Sequence, residues 1–121
     1  ETSVYQDPKL LRHILINLLT NAIKFSGEGS PIDISINMDD ADVLFSVRDY
    51  GLGIPIADHK KLFTRFFRSS NVENIQGTGL GLSIVLQYVN YLKGTIKFSS
   101  DVGKGSIFNV NLPRNLKTPN N

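Results

Sequence analysis

Asn17-Leu18-Leu19-Thr20-Asn21-Ala22-Ile23-Lys24-Phe25 carries two helical patterns at once. Leu18, Leu19, Ala22 and Phe25 continue an apolar series begun by Leu11, Ile14 and Leu15, and at about 100° per residue that series falls on one broad face. Asn17, Asn21 and Lys24, spaced i, i+4, i+7, form a narrow stripe on one side, opposite most of the leucines, and His13 extends it. The pattern predicts a helix from Pro8 to about Phe25. Asp7 suits its cap and Pro8 its first position, and Gly27-Glu28-Gly29-Ser30-Pro31 ends it. Two amides and an ammonium in a row suit a hard cation with phosphates, because an amide oxygen can ligate Mg²⁺ and a lysine is a compact charge for phosphate oxygens. Read alone, the same row also fits a plain solvated face.

Outward from this helix, Ile32, Ile34, Ile36 and Met38 alternate as a half-buried strand does. Asp39-Asp40-Ala41-Asp42 is a turn, and Val43, Phe45 and Val47 alternate again, which predicts a hairpin. A short helix is expected over Ala57 to Phe63, whereas Arg65 to Thr78 shows no period. Leu80 to Lys93 is again helical, with Leu82, Val85, Val89 and Leu92 in one stripe and Gly94 as its stop. Ile96 and Phe98, then Phe108, Val110 and Leu112, predict two more strands around Asp101-Val102-Gly103-Lys104-Gly105. The tail from Pro113 is polar, and residues 114–121 are expected to fray. Hairpins in place of strand–helix–strand units argue against a doubly wound parallel sheet. They favour an α+β fold, a two-layer sandwich with about three helices on one face of a mixed, mostly antiparallel sheet.

Composition narrows the function. The 121 residues are enough for one core, and 40% apolar with 20% charged residues is ordinary for a soluble globular domain. No apolar run reaches the roughly 18 residues a membrane span needs, and the N-terminus does not read as a signal peptide. The absence of cysteine excludes disulfides and thiol catalysis. Thirteen Lys and Arg against eleven Asp and Glu give a net charge of +2, too small and too scattered for a nucleic-acid surface.

Three further stretches carry chemistry. Asp49, in Asp49-Tyr50-Gly51-Leu52-Gly53, keeps the register of Val43, Phe45 and Val47, so its carboxylate is expected on the buried side. A buried carboxylate needs a donor, and the exocyclic amine of a purine is one; an Asx turn is the plainer reading. Gly51 and Gly53 permit close approach of backbone to a ligand. In Gly77-Thr78-Gly79-Leu80-Gly81-Leu82 alternate glycines run into a helix start, where free N–H groups make an anion site; a flexible connection has the same look. Leu82 stands where the dinucleotide fingerprint wants glycine, and no Gly-Lys-Ser/Thr follows, so neither that motif nor a P-loop applies. In Phe63-Thr64-Arg65-Phe66-Phe67-Arg68, aromatics can anchor a mobile loop and an arginine can reach phosphate, or they are core phenylalanines beside surface arginines.

In this order, from about Asp7 to Pro113, the four stretches resemble the histidine-kinase branch of the GHKL (Bergerat-fold) ATPases. Asn17 to Ser26 resembles the asparagine box, Asp49 to Ile54 the first glycine box, Leu62 to Arg68 the phenylalanine box and Gly77 to Leu82 the second glycine box. The resemblance implies ATP and Mg²⁺ as ligands. It implies Asn21 as metal ligand with Asn17 bordering the same site, Lys24 on phosphate, Phe25 against the adenine, Asp49 accepting the adenine amine and Gly51 and Gly53 shaping the base pocket. Arg65 and Arg68 are implied to neutralise phosphate charge, residues 69–76 to form a short lid, and Gly77, Thr78, Gly79, Leu80, Gly81 and Leu82 to meet the phosphates. Asn17, Lys24 and Arg68 are the residues implied in catalysis.

In the gyrase and chaperone branches the position matching Asn17 is a glutamate that activates water. An amide cannot take a proton at neutral pH, so transfer to an external nucleophile is implied, a histidine on a dimerisation domain of the same protein. The phosphoacceptor motif itself is absent: neither His13 nor His59 has the acidic and Thr-Pro neighbours it requires. The family's first strand is expected to be mostly missing before Asp7. The implied protein is a histidine kinase homodimer in full length that serves a response regulator receiver domain. This domain is expected to be cytoplasmic without membrane contact, although the full-length protein can be anchored in the inner membrane. A regulatory nucleotide-binding module without catalysis and an anti-sigma-type serine kinase are the alternatives.

Overall fold

A computed structural model of the chain describes residues 8–27, 29–64 and 81–114. Helix α1 (Pro8–Phe25) leads into strands β1 (Ile32–Met38) and β2 (Asp42–Asp49). A 3-10 helix (Ile56–Lys61), helix α2 (Gly81–Tyr91) and strands β3 (Thr95–Asp101) and β4 (Gly105–Pro113) follow. The four strands form one sheet in the order β1-β2-β4-β3, antiparallel at every pairing among the described residues. Two hairpins joined through β2 and β4 explain why no strand–helix–strand unit was needed. The first hairpin turns where Asp39 Oδ1 accepts the N–H groups of Ala41 and Asp42, both at 2.8 Å. Arg114 donates to the carbonyls of Asp39 and Ala41, so the first residue of the polar tail is held to this turn.

The core lies between the helices and one face of the sheet. Ile14, Leu18 and Ala22 of α1 and Val85 and Val89 of α2 meet Val43, Phe45 and Val47 of β2 and Phe108, Val110 and Leu112 of β4. Each such aliphatic side chain, withdrawn from water, contributes roughly 1.5–3 kcal/mol. Phe98 stacks on Phe108 with ring centroids 5.5 Å apart, and Phe63 meets both edge-on. The opposite face of the sheet is polar, with Ser46 Oγ donating to Asn109 Oδ1 at 2.5 Å. No helix among the described residues is long and apolar enough to cross a membrane.

Two expectations are corrected. β1 was expected half-buried, but Ile34, Ile36 and Met38 are 52%, 56% and 46% exposed. They pair with Val47, Phe45 and Val43 and so share the core-facing side. β1 is at the sheet edge, α1 packs over β2 and α2 over β3, and no helix among the described residues covers β1. Alternation reveals which residues share a face, not whether that face is roofed.

The stop of α2 also differs. The helical ladder ends at Tyr91, and Lys93, not Gly94, takes the left-handed backbone (φ 65°). The Gly94 N–H bonds back to the Val89 carbonyl at 2.9 Å, closing a Schellman-type turn. Glycine is needed at 94 because a Cβ there would collide with the Asn111 carbonyl and the Leu112 side chain of β4. Neighbouring substitutions should therefore act in opposite directions. Lys93→Gly is expected to stabilise the fold by about 0.5–1 kcal/mol, and Gly94→Ala to cost about 2 kcal/mol or more. Urea denaturation of the two variants measures both.

Candidate functional site

The site is built at one end of β2, around a carboxylate that the strand register turns inward. Asp49 follows Val43, Phe45 and Val47 on the core face and is only 3% exposed. The Gly51 N–H donates to its Oδ1 at 2.9 Å, and a backbone N–H from Ser106, its ladder partner on β4, also reaches the carboxylate. Burial pushes the Asp49 carboxyl above its ordinary value, and the two amide donors pull it partly back. The Asx turn and the buried acceptor are thus the same feature: the turn orients the carboxylate.

The loop after Asp49 is packed main chain to main chain. Gly51 lies against the C-terminus of α1 so closely that a Cβ would fall inside the Phe25 carbonyl. The Leu52 N–H bonds to that same carbonyl at 3.1 Å, and the Leu52 carbonyl accepts from the Gly103 N–H at 2.9 Å. Gly53 takes φ 74°, and a Cβ there would strike the Asp101 carbonyl in the β3–β4 turn. One loop therefore ties the end of the opening helix to the tip of the last hairpin. Beyond it, the Ile54 N–H donates to buried Ser100 Oγ at 2.7 Å, which shares a 2.7 Å bond with Ser106 Oγ. His59 Nε2 meets the Ile54 carbonyl at 2.9 Å while its ring sits edge-on to Phe98.

The polar stripe of α1 faces α2. His13 meets Tyr88 edge-on at 5.8 Å. Asn17 Nδ2 donates to the His13 carbonyl at 2.8 Å, while a Cβ on Gly81, where α2 begins, would lie 3.3 Å from Asn17 Oδ1. Asn21 is half-buried one turn further and Lys24 is exposed in the last turn, where a cation also complements the helix dipole. Phe25 is half-buried at the helix end beside Gly51.

The structure thus brings the first glycine block against Phe25, and Gly81, in the second glycine block, against Asn17, while Leu82 packs on the core. Arg65, Arg68, Gly77, Thr78, Gly79 and Leu80 lie outside the described residues, as do residues 69–76. Sequence reading missed Ser100 and Ser106. Their signal was present, since Ser106 follows the glycine that closes the last turn, but it becomes legible only once β4 is known to lie beside β2 opposite Asp49.

Residues 6–116 match the family described as histidine kinase-, DNA gyrase B-, and HSP90-like ATPase. The chain is similar to the sensor protein CiaH of Streptococcus pneumoniae, 37% identical over 119 residues, which is 97% of this chain and 26% of CiaH. It therefore spans about a quarter of that relative's length. Among solved structures it is similar to a mycobacterial sensor histidine kinase, MprB, with a TM-score of 0.83 and 30% identity over 93% of this chain and 77% of that one. It is also similar to full-length ShkA in complex with AMPPNP, with a TM-score of 0.77 and 28% identity over 96% of this chain and 24% of that one.

The raised carboxyl has a direct consequence for stability. A folded state whose pKa exceeds the unfolded value holds the proton more tightly. That contribution is fully present below the unfolded pKa and is lost as pH rises through the folded one. Asp49→Asn carries no buried charge, so its melting temperature relative to the parent should be higher by a few degrees at pH 7 than at pH 3. Thermal melts across that range test the sign; a relative advantage that grows on acidification contradicts it.

Proposed function

Because the chain belongs to the histidine kinase-, DNA gyrase B-, and HSP90-like ATPase family and is the ATPase domain of a sensor-kinase type, we propose that it binds Mg-ATP and transfers the γ-phosphoryl group to a histidine on a separate dimerisation domain of the same protein. The observation that carries the reading is the buried Asp49 carboxylate. Its loop is packed on the end of the helix that bears Asn17, Asn21 and Lys24. The full-length ShkA complex with AMPPNP, an ATP analogue, supports the same ligand class.

In this reading the exocyclic amine of adenine becomes a further donor to Asp49, beside Gly51 and Ser106. A carboxylate with two amide donors and little water gains from another donor more than an exposed one does. Phe25 lies against the base, and Gly51 and Gly53 shape the base pocket indirectly, by letting the loop after Asp49 close on the end of α1 and on the β3–β4 turn. The donor chemistry of the α1 stripe fits a hard cation: Asn17 Nδ2 is committed to the His13 carbonyl, which leaves Oδ1 toward the start of α2. Asn21 would hold Mg²⁺ through its amide oxygen, with Asn17 bordering the same place, and the ion would supply neutralisation of phosphate charge.

Lys24 adds positive charge at the phosphates; Arg65, Arg68 and residues 77–80, which lie outside the described residues, are assigned to the phosphates by the resemblance of their sequence blocks alone. Asn17 cannot act as a base toward water, so the chain's own contribution is to position the γ-phosphoryl group for an incoming imidazole. The domain works in the cytoplasm beside the dimerisation helices of a homodimer, and the phosphoryl group passes on to a response regulator receiver domain.

Mg-ATP should bind with a dissociation constant in the micromolar to millimolar range, about −4 to −8 kcal/mol. Asp49→Asn should weaken it by about a hundredfold or more while the far-ultraviolet circular dichroism stays unchanged. Unaltered affinity in that variant removes the assignment of the base site. Incubation with ATP and a separately supplied acceptor domain should yield phosphohistidine. Binding without phosphohistidine would instead make the chain a regulatory module, and phosphoserine on a protein substrate would make it a serine kinase.

A further inference from the structure

Asp49 is oriented by the Gly51 N–H, and Gly51 follows Tyr50, the first residue past the end of β2. The last ladder positions of that strand are Ile32↔Asp49 and Asp49↔Ser106. The Tyr50 main chain packs against Gly105 of β4, and its side chain adds a second hold. The phenol crosses the polar face of the sheet to β1 and donates to Asp33 Oδ2 at 2.5 Å, and the Arg48 guanidinium lies 4.8 Å from the ring centroid. Asp33 and Arg48 are themselves directly opposite in the β1–β2 ladder. Hydrogen-bonded contact with Asp33, and its negative charge, push the phenol above its ordinary value, with Arg48 opposing, so the hydroxyl remains a donor at neutral pH.

We infer that Tyr50 is a positioning residue for the base-binding carboxylate: its bond to Asp33, with Arg48 over the ring, fixes the Tyr50–Gly51 peptide so that the Gly51 N–H stays aimed at Asp49. This rests on the reading of Asp49 as the base acceptor. The geometry supports transmission in one direction. On its other side Gly51 abuts the Phe25 carbonyl with no room for a Cβ, so the peptide has a wall behind it and the tyrosine anchor in front. Tyr50 itself is 40% exposed and lies outside the core, so a purely structural role predicts little consequence for anything but local surface packing.

Tyr50→Phe removes the hydroxyl and keeps the ring under Arg48; Asp33→Ala removes the acceptor and keeps the tyrosine. In the 121-residue chain without nucleotide, NMR should show the Gly51 amide resonance moving in both variants. The Asp49 carboxyl titration midpoint should move upward, since weakening the Gly51 donor removes an interaction that lowers it. The double variant should reproduce the single ones, as members of one clamp do. Mg-ATP affinity should fall about threefold to fivefold, with the melting temperature within about 2 °C of the parent. Gly51 and Asp49 signals that stay at their parent positions in both single variants overturn the clamp. Signals that move as expected in a parent chain that binds no nucleotide support the clamp and overturn the reading of the site instead.

Discussion

A buried carboxylate at the end of a strand constrains much of what surrounds it. Asp49 is brought inside by the same two-residue repeat that buries Val43, Phe45 and Val47, so the sheet register and the site are not independent. A charge there survives only with donors, and the chain supplies two amides. One comes from the residue two positions on and the other from the neighbouring strand. The first requires the chain to turn immediately after β2, and the second requires β4 to lie beside β2. The strand order β1-β2-β4-β3 and the glycine loop are therefore tied to one another through a single side chain. Because the donors are backbone groups, the carboxylate has a fixed direction even without a ligand, so it is a preorganised acceptor.

Much of the fold could be read from periodicity. The two α-helices and three of the four strands repeat at 3.6 and 2 residues because each has one covered face, and those faces were named correctly. β1 shows the limit. Its isoleucines alternate as buried ones do, yet they stand at an edge beyond both helices, and local pattern contains no record of what lies above a strand. Lys93 shows a second limit, because the left-handed residue at the helix end is a lysine, whereas the glycine that marks the stop is needed one residue later for contact with β4. The serines behind Asp49 show a third. Ser100 and Ser106 are unremarkable in sequence and acquire meaning only through the pairing of β2 with β4.

The candidate site residues were placeable from sequence to the degree that their placement is local. Asn17, Asn21 and Lys24 stand in one row because a helix places every third or fourth residue together, and Asp49 points inward because a strand alternates. Their mutual placement is not local. It depends on Leu52, which was not singled out and which joins Phe25 to Gly103 through its own N–H and carbonyl. The glycines beside it explain why so plain a residue can do this. They let three pieces of backbone from distant parts of the chain approach to hydrogen-bonding distance.

That contact of main chain with main chain also decides where the loop can be redesigned. Side chains can exchange volume with their neighbours, but a carbonyl pressed against an α-carbon has nothing to yield, so no compensating repack exists for a larger residue at 51 or 53. An engineer who wishes to reshape this end of the molecule must keep glycine at both positions and vary the side chains around them instead, since those alone can trade volume with a neighbour.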